Sequence, residues 1–482
     1  MQCVPSDGQG WTADENCGVF VSAGRGSAEG SGTKDAPLSS LQEAVALAQQ
    51  NGTGRVYACA GDGEAFNEAV DVPSGVTIYG GFDCGNKWLW VGDTTKTTLT
   101  AEPGAIPLTM HGVPGIVHIE DMHIVAQPGG QQTNETVSSI AAIALSTNVE
   151  LVRCMLEAGD AAPGANGALH ASAAGVGPAG RAGENACSSP DGADVAGGGV
   201  VRNDCGTPDD PSDDSVGGKG GNGSISEGYN GTSGEPVIPA DGDEPNGGAG
   251  HVRNSVNPCT PGVEGNSRDA GMPGADATGR GAISAAGYAG VGGIAGGRGM
   301  SGQGGGGGGG ERGASPASTR RCPGGVDNRA GAGGGSGGPG GCGGAGGRGG
   351  LPGGASIALV SIDAALSFNA VILKSANGGD GGDGGDGQQG GAGGAGGPGG
   401  TVPTGSEGIS AGCPGGAGGR GGDGGKGGGG QGGHSLGIAF LGQQPPTEGA
   451  TVFHGTAGRG GTGGSPDRRG ADGVAMDMLG FD

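Results

Sequence analysis

Aromatic residues are scarce in this 482-residue chain: three Trp, four Tyr and seven Phe make 3% of it, and only 33% of the residues are hydrophobic. With so little large apolar surface to bury, one large globular core is excluded. No apolar run is long enough to span a bilayer. Basic residues are few, 24 against 48 acidic ones, for a formal charge of −24. A field of that sign repels nucleic acid and anionic lipid, so neither is expected as a partner, and a solvated acidic surface is the plain reading. No pair of cysteines has CxxC spacing, which argues against a zinc ribbon. The opening MQCVPSDG lacks an apolar h-region. If the protein is exported, its leader is expected to lie before this numbering. The chain also has no G-x-S-x-G elbow, H-E-x-x-H helix or P-loop.

What is abundant is glycine, 129 residues, with 28 prolines and 11 cysteines. The apolar residues gather in 38–157 and in islands at 355–375 and 436–454, enough for one modest core. Ten cysteines are scattered through loops, a distribution that fits disulfides in an oxidising compartment. Cys3–Cys17, Cys59–Cys84 and Cys187–Cys205 are the nearby candidate pairs, though connectivity stays open. Cys154 lies in an apolar strand, and the odd total leaves at least one thiol free or paired between chains.

Residues 38–50 read as an amphipathic helix. Ser40-Leu41-Gln42-Glu43 fits a capping box, Leu41, Ala44, Val45 and Ala48 form one stripe, and Gly52 is the stop. The period then changes to two, in RVYACA (55–60), EAVDV (68–72), GVTIYGGF (75–82) and TTLTA (97–101). Val117, Ile119, Met122 and Ile124, then Val149, Leu151, Cys154 and Leu156, read as strand, corner and strand. An internal repeat follows. Ile143-Ala144-Leu145, Ile357-Ala358-Leu359 and Ile438-Ala439-Phe440 each lead to a second strand and a glycine-rich exit.

These units predict an all-β fold, a short right-handed parallel β-helix with an N-terminal capping helix. The chain then divides into a disulfide-containing segment (1–37), the helix and first coils (38–158), a long glycine-rich insertion (159–354), a coil (355–375), a GGX insertion (376–435), a last coil (436–455) and a glycine-rich tail (456–482). Within the insertions the period tightens to three, as in GGDGGDGGDG (378–387) and GGAGGRGGDGGKGG (415–428). Polyproline II or polyglycine II helices have three residues per turn, so GGX leaves two bare edges along which neighbouring chains approach closely. Disorder is the alternative, since ordered glycine loses much backbone entropy. The segment 185–275, without strict period, is the part expected to stay irregular.

Few residues suggest chemistry. Asp380, Asp383 and Asp386 would line one edge of such a helix about 9 Å apart, too far to share one Ca²⁺ without a neighbouring strand, and they are the weak candidates for metal. His118 and Glu120 face outward together, near His111, His123 and Asp121, as a conceivable acid–base pair against a default of surface polarity. Asn51, Asn134, Asn222 and Asn230 begin glycosylation sequons of the kind that arise by chance in such composition.

GTKDAPLSSLQEAVALA (32–48) followed by VYACAGDGEAFNEAVDVPSGVTIYGGFD (56–83) resembles the opening of secreted pectate-lyase-like parallel β-helix proteins, over roughly residues 15–125. Its joining to GGX-rich loops looks like the secreted, PGRS-like glycine-rich proteins of myxobacteria, without a mycobacterial PE domain. The resemblance implies a right-handed β-helix and export to the surface or medium. It carries over no catalytic residues, because no acidic calcium site with a basic partner maps onto this chain. The expected role is a structural or adhesive surface or matrix protein, and an enzyme is not favoured. Candidate partners are an extracellular polysaccharide, a cell-surface component or further copies of the chain. The rival readings are a polysaccharide-binding or polysaccharide-degrading β-helix protein, which Trp11, Trp88 and Trp90 are too few to favour, and an ice- or mineral-binding surface.

Overall fold

The computed structural model describes residues 3–5, 11–61, 63–92, 94–129, 137–206, 213–237, 246–464 and 469–482. The chain is all-β, with one α-helix among the described residues, α1, over Leu41–Gln50. Leu41, Ala44, Val45 and Ala48 recur at helical spacing, and all four are buried in the core. The hydroxyl of Ser40 accepts the Glu43 N–H at 3.2 Å, as an N-cap should.

The other half of the expected capping box is supplied from elsewhere. The Glu68 carboxylate accepts the Ser40 hydroxyl at 2.7 Å, the Leu41 N–H at 2.6 Å and the Gln42 N–H at 3.3 Å. It thus satisfies free donors at the positive end of the helix. Glu68→Ala is expected to cost about 1–2 kcal/mol, read as a lower urea midpoint. An unchanged midpoint would contradict this role. Asn51 ends the helix, and Gly52 follows at φ +72°, the left-handed position that glycine fills without strain.

Three sheets hold the other main elements. The first runs Val19–Val21, Arg55–Cys59, Thr77–Asp83, Ile116–Glu120, Asn148–Val152 and Ala365–Asn369 in that order, all parallel. The second runs Phe66–Asn67, Thr97–Thr100, Met122–Ala126, Met155–Ala158, Val371–Ser375 and Ala450–Phe453. The third runs Val70–Pro73, Leu108–His111, Ser139–Leu145, Ser356–Ile362, Ser435–Leu441 and Ala475–Gly480. From Leu108 onward the chain visits third, first and second sheet in rotation. After Ser435–Leu441 it skips the first sheet, so Ala365–Asn369 is left as an edge strand.

The step from first to second sheet is one left-handed residue. Asp121 (φ 54°), Arg153 (φ 50°) and Ala370 (φ 54°) occupy it in successive passes. Each costs of order 1 kcal/mol in a non-glycine residue, and each resets the alternation so that both flanking strands point apolar residues inward. Cys154 lies just past this corner rather than within a strand, and its side chain is buried.

The middle of the third sheet, Ser139–Leu145, Ser356–Ile362 and Ser435–Leu441, is buried on both faces. Ala142, Ala144, Leu359 and Ile438 join the main core, while Ile140, Ile143, Ile357, Val360 and Leu436 pack beneath Ile283 and Tyr288 of the long insertion. Two buried faces erase the alternation that would fix register by eye. The actual register is Ile140↔Ile357↔Leu436 and Ala142↔Leu359↔Ile438. The triplets beginning at Ile143, Ile357 and Ile438 are therefore out of step with one another.

What does align is Ser139, Ser356 and Ser435, the first residue of each strand. Each hydroxyl ties down a glycine-rich exit. Ser139 accepts Gly159 N–H (2.8 Å), Ser356 accepts Ala376 N–H (2.9 Å) and Ser435 accepts Gly455 N–H (3.0 Å). All three glycine-rich stretches leave after a second-sheet strand and return before a third-sheet strand.

Candidate functional site

The outward corner between first and second sheets gathers the charged residues. His118 contacts Glu120 through Nε2 and Glu150 through Nδ1, each at 3.0 Å. Arg153 donates to both oxygens of Asp121, at 2.9 and 2.8 Å, and also to Glu120. The Trp90 indole N–H donates to Asp121 at 2.9 Å, and Lys96 lies 3.5 Å from the same carboxylate. Burial alone would lower the His118 pKa, but its hydrogen bonds to Glu120 and Glu150 outweigh this and hold it above the usual imidazole value. Burial would likewise raise Glu120, yet His118 and Arg153 hold it below its ordinary range.

Three carboxylates thus meet Arg153, Lys96 and the His118 imidazole, with Glu120 and Asp121 only 2% and 0% exposed. A general acid–base pair needs a proton it can give up beside room for substrate. This cluster instead pins the corner. His111 ends a third-sheet strand, and His123 pairs with Glu157 (3.2 Å) on the second sheet, so the histidines do not converge. The aromatics pack on one another outside the first sheet, with Phe20, Tyr57, Tyr79, Phe82, Trp88 and Trp90 buried.

The glycine-rich runs lie side by side. Gly335, Gly338, Gly341, Gly344, Gly347 and Gly350 donate in turn to the carbonyls of Cys413, Gly416, Gly419, Gly422, Gly425 and Gly428, at 2.9–3.0 Å. Gly421, Gly424, Gly427 and Gly430 donate onward to Gly391, Gln388, Gly385 and Gly382, and Gly419, Gly422 and Gly425 to Gln303, Met300 and Gly297. The two glycines of a triplet therefore serve two different neighbours. Residues 260–275, part of the segment 185–275 expected to be irregular, join in: Gly262, Gly265, Arg268, Gly271 and Gly274 donate to residues 414–426.

The third N–H of a triplet is met in some runs by a backbone carbonyl, as from Cys342 to Gly175, and in others by a side chain, a role that composition hid. Asp380 accepts the Arg459 N–H at 2.7 Å, and Asp383 accepts both the N–H and the hydroxyl of Thr462. The Thr462 hydroxyl and N–H hold the Asp383 carboxyl below its usual pKa. Asp386 lies 3.9 Å from Lys426. These aspartates are committed to neighbouring runs and do not converge on an ion. Among the described residues no group of three or more His, Cys, Asp or Glu is placed to hold a metal. Asn222 and Asn230 cap the Gly197 and Gly250 N–H groups, while Asn134 lies outside the described residues.

Five disulfides are formed. Cys3–Cys17 and Cys59–Cys84 bracket the aromatic cluster. Cys187 and Cys205 do not pair with each other. They join Cys322 and Cys342, and Cys259 joins Cys413, because side-by-side runs bring residues 135–154 positions apart into contact. Cys154 is the free thiol, and burial pushes its pKa up to about 12, which keeps it unreactive.

His434 sits where the third sheet meets the glycine runs. Its Nε2–H donates to the Arg280 carbonyl (2.7 Å) and its Nδ1 accepts the Val474 N–H (2.9 Å), which fixes a neutral tautomer. Burial lowers its pKa below 6.5. A depressed pKa contributes stability that is full above the unfolded value and lost as pH falls through the folded one. The denaturation midpoint is therefore expected to drop between pH 7 and pH 5 by more in the parent than in His434→Gln. Parallel pH profiles would contradict this.

A groove of about 610 Å³ lies between Ala364–Leu366, at the start of the edge strand, and Gln443–Pro446, where the first sheet lacks a further strand. Compared with known proteins, the chain matches no family model, no curated protein and no solved structure.

Proposed function

We propose that the protein is an exported structural or adhesive component of a cell surface or matrix. Its three parallel sheets act as a right-handed, pectate-lyase-like parallel β-helix, and its glycine runs as a polyglycine II array displayed from one corner of that spine. The observation that carries this reading is the period-three donation between neighbouring runs, continuous from Gly335 to Gly350 along 413–428, which a flexible tether does not need. Five disulfides support an oxidising destination, and no helix among the described residues is long and apolar enough to cross a membrane. The ion-paired corner around Asp121 speaks against a catalytic groove on the spine. The mixed residues between glycines, such as Arg420, Asp423 and Lys426, speak against matching a regular ice lattice.

The test is fractionation of the source cells with an antibody to the folded protein. The reading expects the chain in the medium or on the intact cell surface, with Cys205 and Cys342 resistant to alkylation until reduced. Recovery from the cytosol with alkylatable cysteines would overturn it.

A further inference from the structure

One place in the glycine array is out of step. The run 161–186 lies along 377–401, with Gly164 and Gly167 donating to the carbonyls of Asp380 and Asp383. The next bond in the series is from Ala174 to Gln389, followed by Gly177 to Ala392 and Gly180 to Ala395. Seven residues on one run thus span six on the other. The extra residue falls in 168–174, the longest stretch of 159–185 without glycine. A slip of this kind is the array's counterpart of a β-bulge, which breaks pairing locally and re-aims side chains.

The slip opens a cavity of about 350 Å³ whose lining includes Leu169, His170, Ser172, Asp386, Gln388 and Gln389. Its walls are held. Gln388 accepts the Ala345 N–H at 3.0 Å and donates to the Ser172 carbonyl at 3.1 Å, while His170 Nε2–H donates to the Gly346 carbonyl at 3.2 Å. That last bond leaves the neutral ring's Nδ1 as an acceptor. The Asp386 side chain is 76% exposed, with Lys426 at 3.9 Å as a partial counter-charge. Leu169, 77% exposed, stands at the rim.

We propose that this cavity is a saccharide subsite, taking one neutral or amino-substituted sugar ring. The inference rests on the adhesive reading above and names its ligand class. A carboxylate and two primary amides, together with an imidazole acceptor, suit a ligand whose adjacent hydroxyls each donate and accept. Leu169 offers an apolar contact for the C–H face of a ring. The net charge of −24 disfavours phosphorylated or otherwise anionic ligands. An open, shallow site fits the weak, repeated contacts from which adhesion by many copies is built.

Saturation-transfer NMR on the oxidised full chain tests this, with D-glucose, D-galactose, N-acetyl-D-glucosamine and D-glucosamine as the four probes. Hydrogen exchange across 337–354 serves as the control for an intact array. At least one sugar is expected to receive saturation, and Asp386→Ala and Leu169→Ala should each weaken its binding about tenfold while exchange stays unchanged. No transfer to any of the four, on a protein whose glycine runs are protected, overturns the subsite and leaves the scaffold reading standing. Binding unaltered by both substitutions overturns it as well. Rapid exchange across 337–354 in the parent would remove the array, and the subsite with it.

Discussion

Replacing Gly421 by valine is expected to cost about 3 kcal/mol or more and to release the runs around it, because nothing nearby can move aside. Gly421 is buried and donates to the Gly391 carbonyl at 2.9 Å. A Cβ there would meet the Cys342 carbonyl oxygen, and on the adjacent Gly422 it would meet that of Asp269. The obstacle is backbone on both sides, itself hydrogen-bonded to further runs, so relief requires separating chains and breaking several bonds at once. The neighbouring Arg420 is the control, since it is exposed and its ion pair with Asp423 is solvent-accessible on both sides. Arg420→Ser should change stability by less than about 1 kcal/mol. Denaturant titration of the two variants measures the contrast. Equal effects, large or small, would mean that the glycines are not there for close approach.

Removal of the bridge between Cys205 and Cys342, by changing both to serine, is the second large effect. The bridge closes 137 residues of chain, and chain entropy alone puts its worth at about 5 kcal/mol. The benefit is concentrated where it is needed, because the runs bury little apolar surface and glycine gives up the most entropy on ordering. Three of the five disulfides lie in this part of the molecule, and each joins residues more than 130 positions apart. Limited trypsin digestion reads the result: cleavage at Arg253 and Arg268 should accelerate strongly in the double variant, while the sites in the sheets stay protected. Digestion at the parental rate would show that the runs hold without the bridge.

These effects also show what could be read in the chain and what could not. The helix was legible because Leu41, Ala44, Val45 and Ala48 recur at its period and Ser40 marks its start. Its second cap was not, because Glu68 lies 27 residues beyond Leu41 and belongs to no local pattern. Strands with one solvent face, such as Ile116–Glu120 and Met122–Ala126, announced themselves by alternation, and the left-handed Asp121 explains the break between them.

The middle strands of the third sheet hid their register because both faces are buried there. The useful signal was the plain recurrence of serine at Ser139, Ser356 and Ser435, not the apolar triplets. The partner of a distant cysteine, and the purpose of Asp380 and Asp383, depend on which runs lie side by side. Period three fixes the geometry of each run but says nothing about its neighbour. For the candidate site, the histidines and acids near Glu120 were visible as a group, but Arg153 and Lys96, which neutralise them, come from other strands and corners.

Neighbouring glycine runs exchange backbone hydrogen bonds along their length. Hydrogen–deuterium exchange on the oxidised protein, reading peptides from 337–354 and 376–435, tests this most directly. Most buried glycine N–H groups there have a carbonyl partner on another run, and those of Gly340, Gly390 and Gly429 have a side-chain oxygen instead, so exchange slowed by several orders of magnitude relative to an unstructured glycine chain is the expected result. Exchange at the random-coil rate in those peptides, with protection confined to the three sheets, would contradict the account.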